Sequence, residues 1–284
     1  MPKVIAFQGE RGANSEIACN EVYPDWEALP CATFEDAFAA LGDRSADLAM
    51  IPIDNSIAGR VADIHHLLPG SGFHIIGEHF LPIHFHLMAP KGATLATIRE
   101  AQSHIMALGQ CRRTLRKLGL KPVVAADTAG SARQVAEAGD VTRAAIAPRL
   151  AATVYGLEIL AEDIQDENHN TTRFVILARE RRDAPADSGP VMTSFVFRVR
   201  NVPAALYKAM GGFATNGVNM TKLESYMIEG QFSATQFYAE VEGHPEARPL
   251  RLALEELQFF SKELKVLGTY PAHPYRAQIA PPAE

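Results

Sequence analysis

The order of strand-like and helix-like segments predicts an α/β protein in two parts. Three observations carry this. Through the first 180 residues, short apolar runs alternate with amphipathic segments. Residues 179–190 are charged, contain two prolines and have no periodicity, so they read as a linker. The following stretch, about 80 residues long, reads β-α-β-β-α-β, the ferredoxin-like order.

The first element is a short apolar strand at residues 4–8. Residues 15–22 read as a helix with Asn14 or Ser15 as N-cap. Thr33 and Asp36 stand at capping-box spacing ahead of a helix at 34–42. Residues 46–53 are the next apolar strand, and residues 73–89 supply strand broken by Gly77 and Pro82. Leu108, Cys111, Leu115 and Leu118 recur at helical spacing before Gly119, a C-cap residue. A strand at 122–126 leads to Thr128, read as the cap of a helix. Another at 144–147 runs into Pro148, suited to the first position of a helix. Residues 173–178 close the series. This alternation predicts mainly parallel strands, with ligands gathered beyond their carboxyl ends.

Beyond the linker come a strand at 194–199 and a helix at 203–214 opened by Pro203. Asn216-Gly217 is a turn. Strands at 218–226 and 232–241 flank Glu229-Gly230. A helix at 246–260 sets Leu250, Leu254, Leu257 and Phe260 on one face, and a strand at 264–270 ends the unit.

The 284 residues carry a net charge of -6 and are 47% hydrophobic. That composition supports a sizeable core and argues against a nucleic-acid partner. No apolar run approaches the roughly 18 residues that span a bilayer. The first residues lack a signal-peptide pattern, so a cytoplasmic location is expected. Cys19, Cys31 and Cys111 are odd in number and widely spaced, as reduced apolar residues would be.

Two segments carry candidate chemistry. Residues 52–61, Pro-Ile-Asp-Asn-Ser-Ile-Ala-Gly-Arg-Val, follow an apolar strand and read as a helix start. Asn55 and Ser56 can cap it, Gly59 allows close approach of a ligand, and the free N–H groups suit a carboxylate. Residues 168–174, Asn-His-Asn-Thr-Thr-Arg-Phe, place an amide, hydroxyls and a guanidinium beside an apolar strand. His84 and His86 share a strand face, without an acidic or Cys partner at ligand spacing, so they read as structural.

With these segments in view, the chain resembles bacterial prephenate dehydratases. The resemblance runs through Phe7-Gln8-Gly9-Glu10-Arg11-Gly12-Ala13-Asn14-Ser15 and Asp54-Asn55-Ser56-Ile57-Ala58-Gly59-Arg60-Val61. It continues through Ser103-His104, Ala107-Leu108, Gln110-Cys111, Asp127-Thr128-Ala129-Gly130-Ser131-Ala132, Tyr155-Gly156-Leu157 and Asn170-x-Thr172-Arg173-Phe174.

It implies a two-lobed, periplasmic-binding-protein-like catalytic domain over residues 1–180, its second lobe at about 82–165. A linker at 181–190, an ACT regulatory domain at 191–272 and a tail at 273–284 would follow. The implied reaction takes prephenate to phenylpyruvate, water and carbon dioxide. Aromatisation drives it, so no cofactor or metal is expected. Thr172 maps onto the family's catalytic threonine, with Arg173 or a local dipole biasing its hydroxyl. Ser15, Asn55, Ser56, Gly59, Thr128, Ser131, Asn170 and Phe174 are the expected substrate contacts. The family's Ser-Thr-Ala is Asp127-Thr128-Ala129 here, and an aspartate beside an anion site should point away.

For the second part the resemblance implies phenylalanine as effector, held by Ala205, Leu206, Asn216, Gly217, Val218, Asn219, Met220, Glu224 and Ser225. It implies a homodimer or homotetramer through this part. The family's Gly-Ala-Leu is Ala204-Ala205-Leu206, and its Glu-Ser-Arg-Pro is Glu224-Ser225-Tyr226-Met227, which puts effector response in question. Arogenate is an alternative substrate, and a non-catalytic sensor of a small carboxylic acid is an alternative role.

Overall fold

A computed structural model describes residues 2–61, 64–200, 202–227 and 234–279. The chain divides into two compact units. The first holds residues 1–61 and 79–174, and the second holds 62–78 and 175–284.

The first unit contains two sheets, one per lobe. The first lobe runs β1 (Val4–Gln8), α1 (Asn14–Val22), β2 (Glu27–Cys31), α2 (Phe34–Gly42), β3 (Leu48–Asn55) and β4 (Gly59–Arg60). Thr33 and Asp36 exchange two 3.1 Å bonds as a capping box, as their spacing predicts. Ala13, not Asn14 or Ser15, is the N-cap of α1, and it makes no side-chain bond. Chain continuity carries the sheet on through α3 (Ile64–Gly70), β5 (His74–Pro82) and β11 (Thr171–Ala178). Its strand order is β2-β1-β3-β11-β5, with β4 beside β3. The strands β5 and β11 each pass from one unit into the other.

The second lobe comprises β6 (His86–Ala89), β7 (Glu100–His104), α4 (Ile105–Gln110), α5 (Arg112–Leu118), β8 (Lys121–Ala125), α6 (Thr128–Ala138), β9 (Arg143–Ala147), α7 (Arg149–Tyr155) and β10 (Glu158–Ala161). Its order is β10-β6-β9-β7-β8. The expected parallel pairing holds for β7 with β8 and β9, whereas β6 is antiparallel to both its neighbours. The helix expected around 108–118 is broken at Cys111, which serves as C-cap of α4 and N-cap of α5. Asp127, not Thr128, caps α6: its carboxylate accepts from Gly130 N at 2.6 Å.

The second unit contains β12 (Val191–Val199), α8 (Ala205–Thr215), β13 (Met220–Met227), β14 (Ala234–Glu242), α9 (Arg248–Phe260), β15 (Ser261–Pro271) and α10 (Tyr275–Ile279). The order β13-β14-β12-β15 places the first and third strands of the βαββαβ unit at the centre, the ferredoxin-like arrangement. Phe195, Phe197, Phe213, Leu250 and Leu257 are buried in its core. The turn expected at Glu229-Gly230 lies outside the described residues.

The expected linker falls between the end of β11 at Ala178 and the start of β12 at Val191, and the compact division falls earlier, within β11. Helix α3 and the first half of β5 join the second unit. There Lys265 Nζ donates to Pro69 O at 2.8 Å. A Cβ on Gly268 would lie 1.9 Å from Ile75 O, so only glycine allows that approach. Among the described residues no helix is long and apolar enough to cross a membrane.

Candidate active site

Residues 54–61 do not start a helix. Strand β3 turns back on itself, and β4 pairs Asp54 with Arg60 and Asn55 with Gly59. Asn55 Oδ1 accepts from Ile57 N at 3.0 Å and Ala58 N at 2.8 Å, closing the turn. Asparagine bonds its own following backbone in turns as readily as at helix starts, so the residues were legible and the geometry was not. Gly59, at φ +81°, completes the hairpin.

That use of Asn55 Oδ1 directs its amide N–H groups the other way. Asn55 Nδ2 donates to Asn170 Oδ1 at 2.8 Å and to Thr172 Oγ1 at 2.9 Å, with Thr171 O at 3.3 Å. Asn170 is buried, and its Nδ2 donates to Gln110 Oε1 at 2.6 Å. A hydrogen-bonded chain therefore links Gln110 at the end of α4 to the hydroxyl of Thr172, with Asn55 donating toward both ends. Because Thr172 Oγ1 accepts, its own hydrogen is left to donate, and it has no acceptor among the described residues. Gln110 was matched only within the Gln110-Cys111 resemblance and was not singled out as a site residue. Its partner lies 60 residues away, so no local signal marks it.

The other expected contacts sort by what their side chains already do. Ser56 Oγ donates to His169 O at 2.7 Å and accepts from Thr171 N at 2.9 Å, pinning the hairpin to the start of β11. Ser131 Oγ donates to Asp127 O at 2.6 Å. Both hydroxyls are committed to backbone. The hydroxyls of Ser15 and Thr128 make no hydrogen bond among the described residues. Arg173 is buried, with Asp54 at 3.5 Å and the Phe80 ring 5.9 Å from its guanidinium. Successive side chains leave a strand on opposite faces, so Arg173 does not lie beside the Thr172 hydroxyl as the resemblance suggested. Phe174 is 1% exposed and belongs to the core, which corrects its expected place against substrate. Asp127 turns onto the α6 N-terminus rather than away from it.

The lobes are clasped by a bidentate pair. Arg133 Nε and Nη2 donate to Glu10 at 2.7 and 2.9 Å. The guanidinium holds the Glu10 carboxyl below the usual carboxylate range. Tyr155 Oη donates to Arg11 O at 2.8 Å. Gly12, at φ +86°, is required here because a Cβ would sit 2.7 Å from Ala151 Cα. His104 caps α4 by accepting from Met106 N.

His84 lies in the loop between β5 and β6, so it does not share a strand face with His86, and both meet Asp163, which follows the neighbouring strand β10. His84 Nδ1 lies 2.8 Å from Asp163 Oδ1, and His86 Nδ1 accepts from Asp163 N at 3.2 Å. Burial pushes the His86 imidazole below its ordinary range. Among the described residues no cluster of His, Cys, Asp and Glu could hold a metal ion. Cys19, Cys31 and Cys111 are free and buried, and burial pushes the Cys111 thiol up to about 12.

In the second unit the expected effector residues are less uniformly placed. Leu206, Val218 and Met220 pack against the core. Asn216 Nδ2 donates to Gly212 O at 2.8 Å, Gly217 has φ +65°, and Asn219 O accepts from Glu242 N at 3.0 Å. Glu224 and Ser225 lie on β13, an edge strand, with Lys222 3.4 Å from Glu224. Ala204 takes φ +61° where the family has glycine.

Comparison with known proteins agrees with the resemblance. The profile of the family described as Prephenate dehydratase matches residues 5–182. A Komagataeibacter europaeus protein named bifunctional N-acyl-homoserine lactone acylase/prephenate dehydratase is 52% identical over 274 residues, covering 96% of this chain and 98% of its own length. Arogenate dehydratase/prephenate dehydratase 2 of Arabidopsis thaliana is 39% identical, with 94% of this chain and 72% of that protein covered. The structure of a prephenate dehydratase with L-Phe from Arthrobacter aurescens superposes with TM-score 0.87 at 31% identity, covering 99% of this chain and 92% of that one.

Proposed function

We propose that this chain, which belongs to the prephenate dehydratase family, converts prephenate to phenylpyruvate, water and carbon dioxide. The observation that carries the reading is the Thr172 hydroxyl, held as an acceptor by Asn55 and so left to donate. Prephenate must lose its ring hydroxyl as water while the C–C bond to the ring carboxylate breaks. The electron pair of that bond enters the ring, the oxygen leaves with the C–O pair and takes up one proton from the solvent to become water, and aromaticity results. A threonine hydroxyl is a weak acid. Its contribution is a strong hydrogen bond to the departing oxygen, within the roughly 10²–10⁴-fold range of general acid assistance. The uncommitted hydroxyls of Ser15 and Thr128 are proposed as carboxylate donors. Asn55 and Asn170 orient Thr172, and Ser56 and Arg173 hold the hairpin and strand that carry them.

We assign the C-terminal βαββαβ part as an ACT domain that binds phenylalanine and pairs copies of the chain. The L-Phe complex of the Arthrobacter aurescens relative supports this. Coupling of effector to catalysis would be on the order of 1–3 kcal/mol.

The test is phenylpyruvate formation from prephenate by the purified protein and Thr172→Ala, each with and without phenylalanine. Turnover that collapses in the variant supports the assignment. No turnover with prephenate but turnover with arogenate would move the substrate to the one named for the plant relatives. Failure with both would leave a binding role. The activity named for the Komagataeibacter relative motivates a parallel assay with an N-acyl-homoserine lactone.

A further inference from the structure

We propose that a groove between α4, α5 and β8 in the second lobe binds a small amphipathic carboxylate, an aliphatic body bearing one anionic head. The groove has a volume of ≈ 360 Å³, within the range of small-molecule sites. Leu108, Leu115 and Leu120 form its floor and are nearly fully buried. Ile105 and Val124 line it while remaining 55% and 62% exposed, so its apolar wall continues to the surface. Isolated exposed apolar residues are ordinary, but these are contiguous with a concave apolar floor.

The head group is argued from charge. Arg112 and Arg116 line the groove, and no carboxylate does. Four residues apart on α5, they share one helix face, where like charges repel. Neither guanidinium has an ion pair or hydrogen bond among the described residues. The same helix does receive acids elsewhere: Arg113 meets Asp166 and Glu167. In a chain of net charge -6, two adjacent unpaired cations over an apolar trough are complementary to an anion with an apolar body.

The groove is lined by neither Thr172 nor the residues hydrogen-bonded to it, and its test reads binding directly, so it does not depend on turnover. Calorimetric titration with decanoate below its micelle concentration is expected to show saturable binding to one site, weakened by salt. Decyltrimethylammonium, with the same chain and the opposite charge, should bind at least tenfold more weakly. The double variant Arg112→Gln/Arg116→Gln should lose at least tenfold in decanoate affinity with an unchanged near-ultraviolet circular dichroism spectrum, and Val124→Asp should do the same. Equal affinity for both amphiphiles, unchanged decanoate binding in the double variant, or no saturable binding would overturn the proposal. So would self-association that Val124→Asp abolishes, since a second copy would then occupy the groove.

Discussion

Replacing Thr172 by valine separates the chemical role of the hydroxyl from its structural one. Valine keeps the branched shape and exchanges the hydroxyl for a methyl group. Asn55 Nδ2 loses one acceptor but keeps Asn170 Oδ1 at 2.8 Å and Thr171 O at 3.3 Å. The expected folding cost is therefore that of one net hydrogen bond, about 0.5–1.5 kcal/mol. If the hydroxyl donates to the departing oxygen, kcat falls roughly 10²–10⁴-fold. At about 1.36 kcal/mol per factor of ten, that is about 2.7–5.4 kcal/mol of barrier, well above the folding cost. Phenylpyruvate formation gives the first quantity and urea unfolding the second. Thr172→Ser, which restores the hydroxyl, should recover most of the lost rate. A valine variant within tenfold of the parent, or a serine variant as slow as valine, would refute the assignment of this hydroxyl to the reaction.

Four further outcomes are expected. Gln110→Leu leaves buried Asn170 Nδ2 without its acceptor, costing about 1–3 kcal/mol in urea unfolding and lowering kcat, while Gln110→Glu keeps an acceptor and does less. Ala204→Gly relieves a left-handed conformation that costs an L-residue about 1–2 kcal/mol, so after the entropy glycine loses it should raise stability by about 0.5–1 kcal/mol in the same assay. Glu78, whose side chain is fully buried, takes two bonds from Arg276 at 2.6 and 2.8 Å, and Glu78→Ala should cost about 3–5 kcal/mol by urea midpoint. Burial lowers the His86 pKa, so the unfolded chain binds a proton more readily there than the folded one. The contribution is full above the ordinary value of 6.5 and is lost as pH falls below it toward the folded value. Stability measured from pH 7.5 down to 5.5 should decline less steeply in His86→Gln.

What could be read along the chain was whatever is decided within a few residues. The capping box of Thr33 and Asp36 closes over three residues, and both bonds form as their spacing predicts. The βαββαβ order follows from apolar periodicity, clearest in helices α8 and α9, which bury one face, while the central strand β12 is buried on both. Reading failed where two local solutions use the same chemistry and a distant partner chooses between them. Asn55-Ser56 could open a helix or close a turn. The return of β4 onto β3, and the bonds from Ser56 to His169 O and Thr171 N, select the turn. Asp127 and Thr128 could each cap α6, and the carboxylate takes Gly130 N.

The candidate site has the same split. Thr172 and Asn55 stand in recognisable segments, but what makes their geometry chemical is the sense of each hydrogen bond. Ile57 N and Ala58 N set the Asn55 amide, and Gln110 sets the Asn170 amide from 60 residues away. An amide has one accepting end and one donating end, so fixing both amides fixes which end faces Thr172. Reversing the Asn55 amide would offer Thr172 an acceptor, and its hydroxyl hydrogen would turn inward to that acceptor. The catalytic polarity proposed for Thr172 is thus a property of the folded hairpin and α4 together, which no segment of the sequence carries alone.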